Sequence, residues 1–276
     1  MRKTIIITGG TGGIGHAAAI AFAKQGNDLI FQGRDAEKGK KIAEELTKLS
    51  GTKATFIAAD VSTIDGIKAL AAEIKKLTPE IGLLIHSTGT FNSERRETKD
   101  GFYESFTVNY LCKFMLDTLL LEELKRGEGR VIIVGAQLMR NAAINFDDLQ
   151  MKNRYSIKKS RGQNMLAVYL HAQEFTKRNN SIPINVINPG FVKTNIYRNL
   201  KGAMKLFMRV LEFFLSNSAE EAIVNILELA KTDSMDSGYY YPKVAKPAVK
   251  EKIDFDTDVA SKLWDESLII AKLKQE

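Results

Sequence analysis

The sequence predicts an α/β protein whose parallel sheet is wound on both faces with helices, and three observations lead there. Short β-branched runs alternate with segments of helical spacing along most of the 276 residues. The runs are apolar almost throughout rather than at every second residue, the pattern of strands buried on both faces. A glycine-rich turn joins the first run to the first helical segment.

Taken in order, Thr4-Ile5-Ile6-Ile7-Thr8 is the first strand and Ala17 to Lys24 lies in the first helix. Asp28-Leu29-Ile30-Phe31 is the next strand, followed by a helix from Asp35 to Leu49. Ala54 to Ala58 is the third strand, and Ile64 to Lys76 the helix after it. Gly82 to Ile85, Arg130 to Val134 and Ile184 to Ile187 complete the set of six strands. After Pro189-Gly190 the pattern turns mostly helical, with Ala203 to Leu215 and Ala219 to Ala230. Ligands of such sheets bind at the carboxyl ends of the strands, so residues 195 to 235 are expected to form a helical substrate lid. Linkers, repeats and low-complexity tracts are missing, so one domain spanning residues 1 to 276 is the simplest reading.

Composition narrows the function classes. With 44% hydrophobic and 26% charged residues the chain has enough apolar material for a sizeable core. The net charge of +7 suits an anionic cofactor, and the lysines are scattered rather than striped, which argues against nucleic acid as a partner. Cys112 is the single cysteine, so an internal disulfide is excluded and a reducing, cytoplasmic setting is expected. Among Leu111, Phe114 and Met115 it reads as a core residue. His16, His86 and His171 have no metal-ligand spacing, so no metal site is expected. His86 and Ser87 end the fourth strand, where contact with a bound dinucleotide is expected. The stretch 203 to 215 pairs large apolar residues with Lys201, Lys205 and Arg209, so weak membrane-surface contact is an alternative to the lid. Either reading implies an apolar substrate.

The turn Thr8-Gly9-Gly10-Thr11-Gly12-Gly13-Ile14-Gly15 follows a strand and opens a helix, the context in which glycines let backbone approach a pyrophosphate. This Rossmann-type loop, with its TGxxxGIG spacing, resembles the short-chain dehydrogenase/reductase family. The resemblance extends to Asp60-Val61, which match the family's adenine-contacting pair, and to Gly89, the glycine kept from an Asn-Asn-Ala-Gly stretch. Asn109 matches the family's structural and catalytic asparagine, and Pro189-Gly190 the segment beside the nicotinamide. Thr8, Gly9, Thr11, Gly13, Ile14 and Gly15 are accordingly expected to hold the cofactor. At the end of the second strand, Gly33-Arg34-Asp35 puts a guanidinium where an acid otherwise holds the ribose 2′-hydroxyl. Arginine's forked donors suit a 2′-phosphate, so NADP(H) is expected over NAD(H). The segment Asn145 to Gln150, the aromatic stretch Leu206 to Leu215 and the tail stretches Ser237 to Tyr241 and Lys262 to Ser267 look like the retinol-dehydrogenase-like branch. In this family large helices often mediate dimers or tetramers, and no stripe here is diagnostic of a homo-oligomer.

In the family a serine polarises the substrate carbonyl, a tyrosine transfers the proton and a lysine four residues on lowers the tyrosine pKa. The phenol needs such a cation because its ordinary pKa lies near 10. Ala136 stands at the serine position and cannot donate to a developing oxyanion; Gln137 beside it offers an amide. Tyr155 and Lys159 have the tyrosine and lysine spacing, which requires a shared helical face. A second register, counted from the 145 to 150 segment, puts Arg161 and Met165 at those positions instead. Ser160 and Gln163 read as a capping box that starts the helix after Lys159, and a helix begun earlier carries Gly162 inside at a cost of about 1 kcal/mol. These considerations favour the displaced register, while Tyr155 stays the best single acid candidate.

Two functions follow. The first is an NADP-dependent oxidoreductase interconverting a carbonyl and an alcohol on an apolar small molecule, with Asn109, Tyr155 and Lys159 as relay, acid and helper. The second, favoured by Ala136, Arg161 and Met165, is a dinucleotide-binding protein of this fold without redox turnover, serving as a sensor, an interaction module or a non-redox isomerase or cyclase.

Overall fold

The computed structural model describes residues 3–137, 141–153, 155–192, 217–245 and 247–273. Strands β1 (Thr4–Thr8), β2 (Asp28–Gly33) and β3 (Ala54–Ala58) alternate with helices α1 (Gly13–Lys24), α2 (Ala36–Ser50) and α3 (Ile64–Leu77). Strand β4 (Leu83–His86) leads into a helical stretch built from α4 (Glu104–Phe106), a π-helical turn (Thr107–Leu111), α5 (Cys112–Leu119) and α6 (Leu121–Arg126). Strand β5 (Arg130–Val134), helix α7 (Ile157–Arg178) and strand β6 (Ile184–Ile187) follow, then helices α8 (Ala219–Ala222) and α9 (Val224–Lys231). Strands β7 (Tyr239–Tyr241) and β8 (Glu251–Lys252) precede the last helix, α10 (Thr257–Ile270).

All eight strands join one sheet in the order β3-β2-β1-β4-β5-β6-β7-β8. The first seven run parallel, and β8 pairs antiparallel with β7. Because β1 is flanked by β2 on one side and β4 on the other, the chain leaves it in opposite directions. That switch opens a crevice at the carboxyl ends of the strands.

The six expected strands are present, each within two residues of its expected ends. Their two faces explain their apolar composition: Ile5 and Ile7 pack under α1 and α2, whereas Ile6 packs with α3, α5 and α7 on the opposite face. Strands β7 and β8 had no counterpart among the expected strands. Tyr239-Tyr240-Tyr241 is too short to show a period, and β6 supplies the edge it completes. Local side chains start most of the long helices. Asp35, Thr63 and Asp256 accept first-turn N–H groups of α2, α3 and α10, and Ser218 forms a capping box with Glu221 on α8.

The start of α7 corrects one expectation. Its N-cap is Ser156, whose hydroxyl accepts the Lys159 N–H, and not Ser160. The Ser160 hydroxyl is committed instead to the Tyr103 hydroxyl, and Gln163 bridges the Asn145 N–H and the Leu149 carbonyl. The capping-box pattern is used for tertiary contacts, and Gly162 lies inside the helix. The stretch 203 to 215, expected as a lid or surface helix, lies outside the described residues, and no described helix is long and apolar enough to cross a membrane.

Candidate active site

A cleft of about 700 Å³ lies across the carboxyl ends of the strands, running from Arg34 at one end to Arg161 at the other. Its floor begins with the turn after β1. Gly9 takes a left-handed backbone, φ 72°, and its N–H donates to Gln32 Oε1 at 3.1 Å. Gln32 is buried and also donates to the Ala59 carbonyl, so one side chain fastens the turn to β2 and β3. Reading the sequence did not single it out, because a glutamine inside an apolar run has no signature of its own. A Cβ on Gly15 would stand 2.5 Å from the Gly9 carbonyl oxygen, so only glycine lets α1 come this close to the turn.

Unlike α2 and α3, helix α1 begins without a side-chain cap and without an acid in its first turn. Its N-cap is Gly12, and the first-turn N–H groups face the cleft with the positive end of the helix dipole. Uncapped donors of this kind suit a pyrophosphate.

Of the residues expected to hold the dinucleotide, Gly9, Thr11, Gly13, Ile14, Arg34, Asp60, Val61, Gly89, Pro189 and Gly190 border the cleft. Thr8 and Gly15 do not. Thr8 is fully buried, accepts the Ser87 N–H and so ties β1 to the end of β4; Gly15 supports the turn from behind. His86 is also withdrawn from the cleft: it is fully buried and bonded to Asp117, and only its neighbour Ser87 borders the space. At the far end of β2 a second cation, Lys38, joins Arg34. Asp35 is occupied as the cap of α2, its carboxylate accepting the Lys38 N–H at 3.0 Å. Lys38 lies in the first turn of α2, four residues after Arg34, a signal available in the sequence once the helix start is placed.

The other end of the cleft collects the expected catalytic positions. Asn109 sits in the π-helical turn, a distortion common at functional sites, and clamps Thr90 through both its N–H and its carbonyl, each bond 2.9 Å long. One turn further, the buried Lys113 ammonium donates to the carbonyls of Thr88 and Val108, both at 3.1 Å. Burial holds that ammonium below the usual lysine range, the Cys112 thiol and the Asp117 carboxylate acting the other way. Cys112 is buried with its thiol against the Val108 carbonyl, the core position expected of it, and burial raises its pKa.

Tyr155 borders the cleft, just before the cap of α7, and its hydroxyl donates to the Asn92 carbonyl at 2.8 Å. Burial, reinforced by Tyr103 beside it, raises its pKa well above the usual phenol value. Lys159 is exposed and outside the cleft, so the tyrosine and lysine of the first register are not brought together there. Arg161, Asn164, Met165 and Val168 are the residues of α7 that face the cleft, together with Ile157 and Ser160 in the first turn, and Ala136 and Gln137 border it from the end of β5. Of the two registers, the first brings Tyr155 to the cleft without Lys159, and the second brings both Arg161 and Met165. No group of three His, Cys, Asp or Glu side chains among the described residues is arranged to hold a metal ion.

The sequence model of the short chain dehydrogenase family matches residues 3–205. The chain belongs to the short-chain dehydrogenase/reductase family. Within it, human retinol dehydrogenase 13 is 30% identical over 285 residues, covering 99% of this chain and 85% of that one. Human polyprenol dehydrogenase is 28% identical over 276 residues, covering 96% and 84%. The retinol-dehydrogenase-like branch read from the sequence is thus the one to which this dehydrogenase/reductase belongs. Among solved structures, L-sorbose reductase from Gluconobacter frateurii, complexed with NADPH and L-sorbose, shares the fold with a TM-score of 0.65 at 19% identity, covering 85% of this chain and 91% of that one. An alcohol dehydrogenase from Thermococcus sibiricus, complexed with 5-hydroxy-NADP, aligns with a TM-score of 0.67 at 20% identity, covering 86% and 93%.

The glycine turn, the uncapped α1 and the paired cations fit a nicotinamide dinucleotide. Gly15→Ala is expected to weaken dinucleotide binding at least about tenfold, equivalent to about 1.4 kcal/mol, because the new methyl group forces α1 off the turn. Fluorescence titration with the reduced dinucleotide measures it, and unchanged affinity would show that the turn does not cradle the phosphates.

Proposed function

We propose that this family member is an NADP(H)-dependent oxidoreductase that interconverts a carbonyl and an alcohol on a small molecule with an apolar body. The observation that supports it best is the cleft itself, which joins an uncapped helix N-terminus and two cations at one end to Tyr155 and apolar side chains such as Phe91 and Val168 at the other. The retinol and polyprenol dehydrogenases to which the chain is similar are named for apolar alcohols, and both structural neighbours named above hold an NADP-type dinucleotide.

When bound, the cofactor supplies or accepts the hydride. The protein's part is to hold the dinucleotide, order the substrate and provide a proton. Arg34 and Lys38, which border the cleft where Asp35 does not, take the 2′-phosphate; the Asp35 carboxylate is turned to the first turn of α2 as its cap. Asn109 and Lys113 lock the segment from Thr88 to Thr90 into the wall of the cleft. Tyr155 is the proton donor to the substrate oxygen. With its pKa raised by burial it stays protonated through neutral and mildly alkaline pH, which suits carbonyl reduction more than alcohol oxidation. Lys159, exposed and outside the cleft, has no part in this arrangement, and Met165 supplies no charge in its place.

Steady-state reduction of a panel of aryl and alkyl aldehydes and ketones, followed as NADPH consumption, tests the reading. Tyr155→Phe is expected to lower kcat about 10²- to 10⁴-fold, the span ordinary for a positioned proton donor. The wild-type rate should show no loss attributable to Tyr155 between pH 7 and about pH 9, because the raised pKa keeps its proton in place. A Tyr155→Phe enzyme with the wild-type rate would remove Tyr155 from the chemistry.

A further inference from the structure

We propose that Arg161 and Asn164 form a carboxylate seat at the substrate end of the cleft, so that the compound handled there is an apolar carbonyl or alcohol bearing a carboxylate. The inference deepens the oxidoreductase reading and rests on it for the reacting group, while the seat itself stands on two side chains of α7.

The first is Asn164. It is 1% exposed, it borders the cleft, and neither its amide nitrogen nor its amide oxygen has a hydrogen-bond partner. A buried amide left unpaired costs about 1–3 kcal/mol for each group, so an idle donor and acceptor at the wall of a cleft point to a ligand that completes them. The second is Arg161, three residues earlier and therefore on the same face of the helix. Its guanidinium has no hydrogen bond or ion pair with any described residue, and it stands over the Phe91 ring, 5.9 Å from the ring centroid. A guanidinium stays charged at every working pH, and its planar fork matches the two oxygens of a carboxylate. The unpartnered Asn164 amide, on the same face of α7, supplies the seat's second donor.

Cations outnumber acids around the seat. Beside Arg161, Lys113 adds a buried positive charge to this end of the cleft. The acid that borders it, Glu104, points one oxygen at the Asn92 amide, 3.1 Å away. Phe91, Val108, Ile157 and Val168 offer apolar surface for the rest of the molecule. One forked cation and one amide fit a singly charged, planar anion better than a phosphate dianion.

The test uses the full chain saturated with NADP⁺ and two non-reacting probes of matched size, phenylacetate and phenylacetamide, titrated calorimetrically. The carboxylate is expected to bind at least tenfold more tightly than the amide. Arg161→Gln should bring the two probes level, Arg161→Lys should restore part of the difference, and Asn164→Leu should weaken phenylacetate severalfold while NADP⁺ affinity holds. Equal binding of the two probes, or an unchanged preference in Arg161→Gln, overturns the seat. A loss of NADP⁺ affinity in Asn164→Leu without effect on phenylacetate also overturns it, by assigning the amide to the dinucleotide. Tighter binding of phenylphosphonate than of phenylacetate overturns the choice of carboxylate. Reduction of 4-carboxybenzaldehyde against benzaldehyde separates the two levels of inference. If neither aldehyde is reduced and phenylacetate still binds through Arg161, the oxidoreductase reading fails and the seat survives. If both are reduced alike and independently of Arg161, the seat fails and the oxidoreductase reading survives.

Discussion

Asp117→Ala is expected to destabilise the protein by about 3–5 kcal/mol, the ordinary cost of deleting one member of a buried charged network. Asp117 is fully buried and holds two imidazoles, His86 at 2.8 Å through one oxygen and His171 at 2.7 Å through the other. His171 in turn stacks on Trp264, so the cluster links β4, α5, α7 and α10. Removing the carboxylate leaves two ring N–H groups without an acceptor and takes from the buried Lys113 an acid that favours its charge. Urea denaturation should show a lower midpoint with an unchanged slope, and a midpoint within error of wild type would deny the network its structural role. The same cluster sets a pH dependence. Burial, more than the opposing pull of Asp117, lowers the folded-state pKa of His86, so below about pH 6.5 the unfolded chain takes up a proton that the folded chain refuses and stability falls. Burial alone would raise the Asp117 carboxyl, but His86 and His171 outweigh it and hold it below its ordinary 3.8, which steepens the fall as the pH drops further. Stability should therefore be flat from pH 7 upward with respect to these groups, and decline in two stages on acidification.

The second large effect concerns the cofactor. The double substitution of Arg34 and Lys38 by Ala is expected to raise KM for NADPH about 100-fold while changing KM for NADH little, since both cations border the end of the cleft assigned to the 2′-phosphate. The magnitude corresponds to roughly 1.4 kcal/mol for each charge-assisted contact, at the low end of the ordinary range for such bonds. Each single variant should fall between. Equal losses for the two dinucleotides would place the pair on a shared phosphate, and an unchanged ratio would leave the preference for NADP(H) without a basis at this end.

Much of the fold was legible because its signals are local. Five isoleucines and threonines in a row at Thr4–Thr8, the glycines that follow, and Asp35 and Thr63 ahead of helical periods depend on neighbours a few residues away. The capping signal at Ser160 misled for the opposite reason. A serine three residues before a glutamine has the same local chemistry at Ser160 as at a true helix start, and only contact with Tyr103, Asn145 and Leu149 diverts it. Strand β7 was invisible as a strand because its three residues gain their register from β6. Gln32 and Lys113 were not legible because a single polar residue in an apolar stretch does not say where it points, and Asn164 because it is one of several polar residues in a row.

The sequence by itself determined the alternation of strands and helices, the phosphate turn and the cation at the end of β2, since hydrophobic period, glycine conformation and charge act over short spans of chain. The tertiary structure decided which tyrosine, lysine and asparagine face the cleft. That depends on where α7 begins, which the local cap Ser156 fixes, and on how the helix is held against the rest of the protein, which contacts distant in sequence, such as Tyr103 against Ser160, decide. On that account Tyr155 stays beside the cleft, Lys159 leaves it, and Arg161 and Asn164 take the face of α7 that borders it.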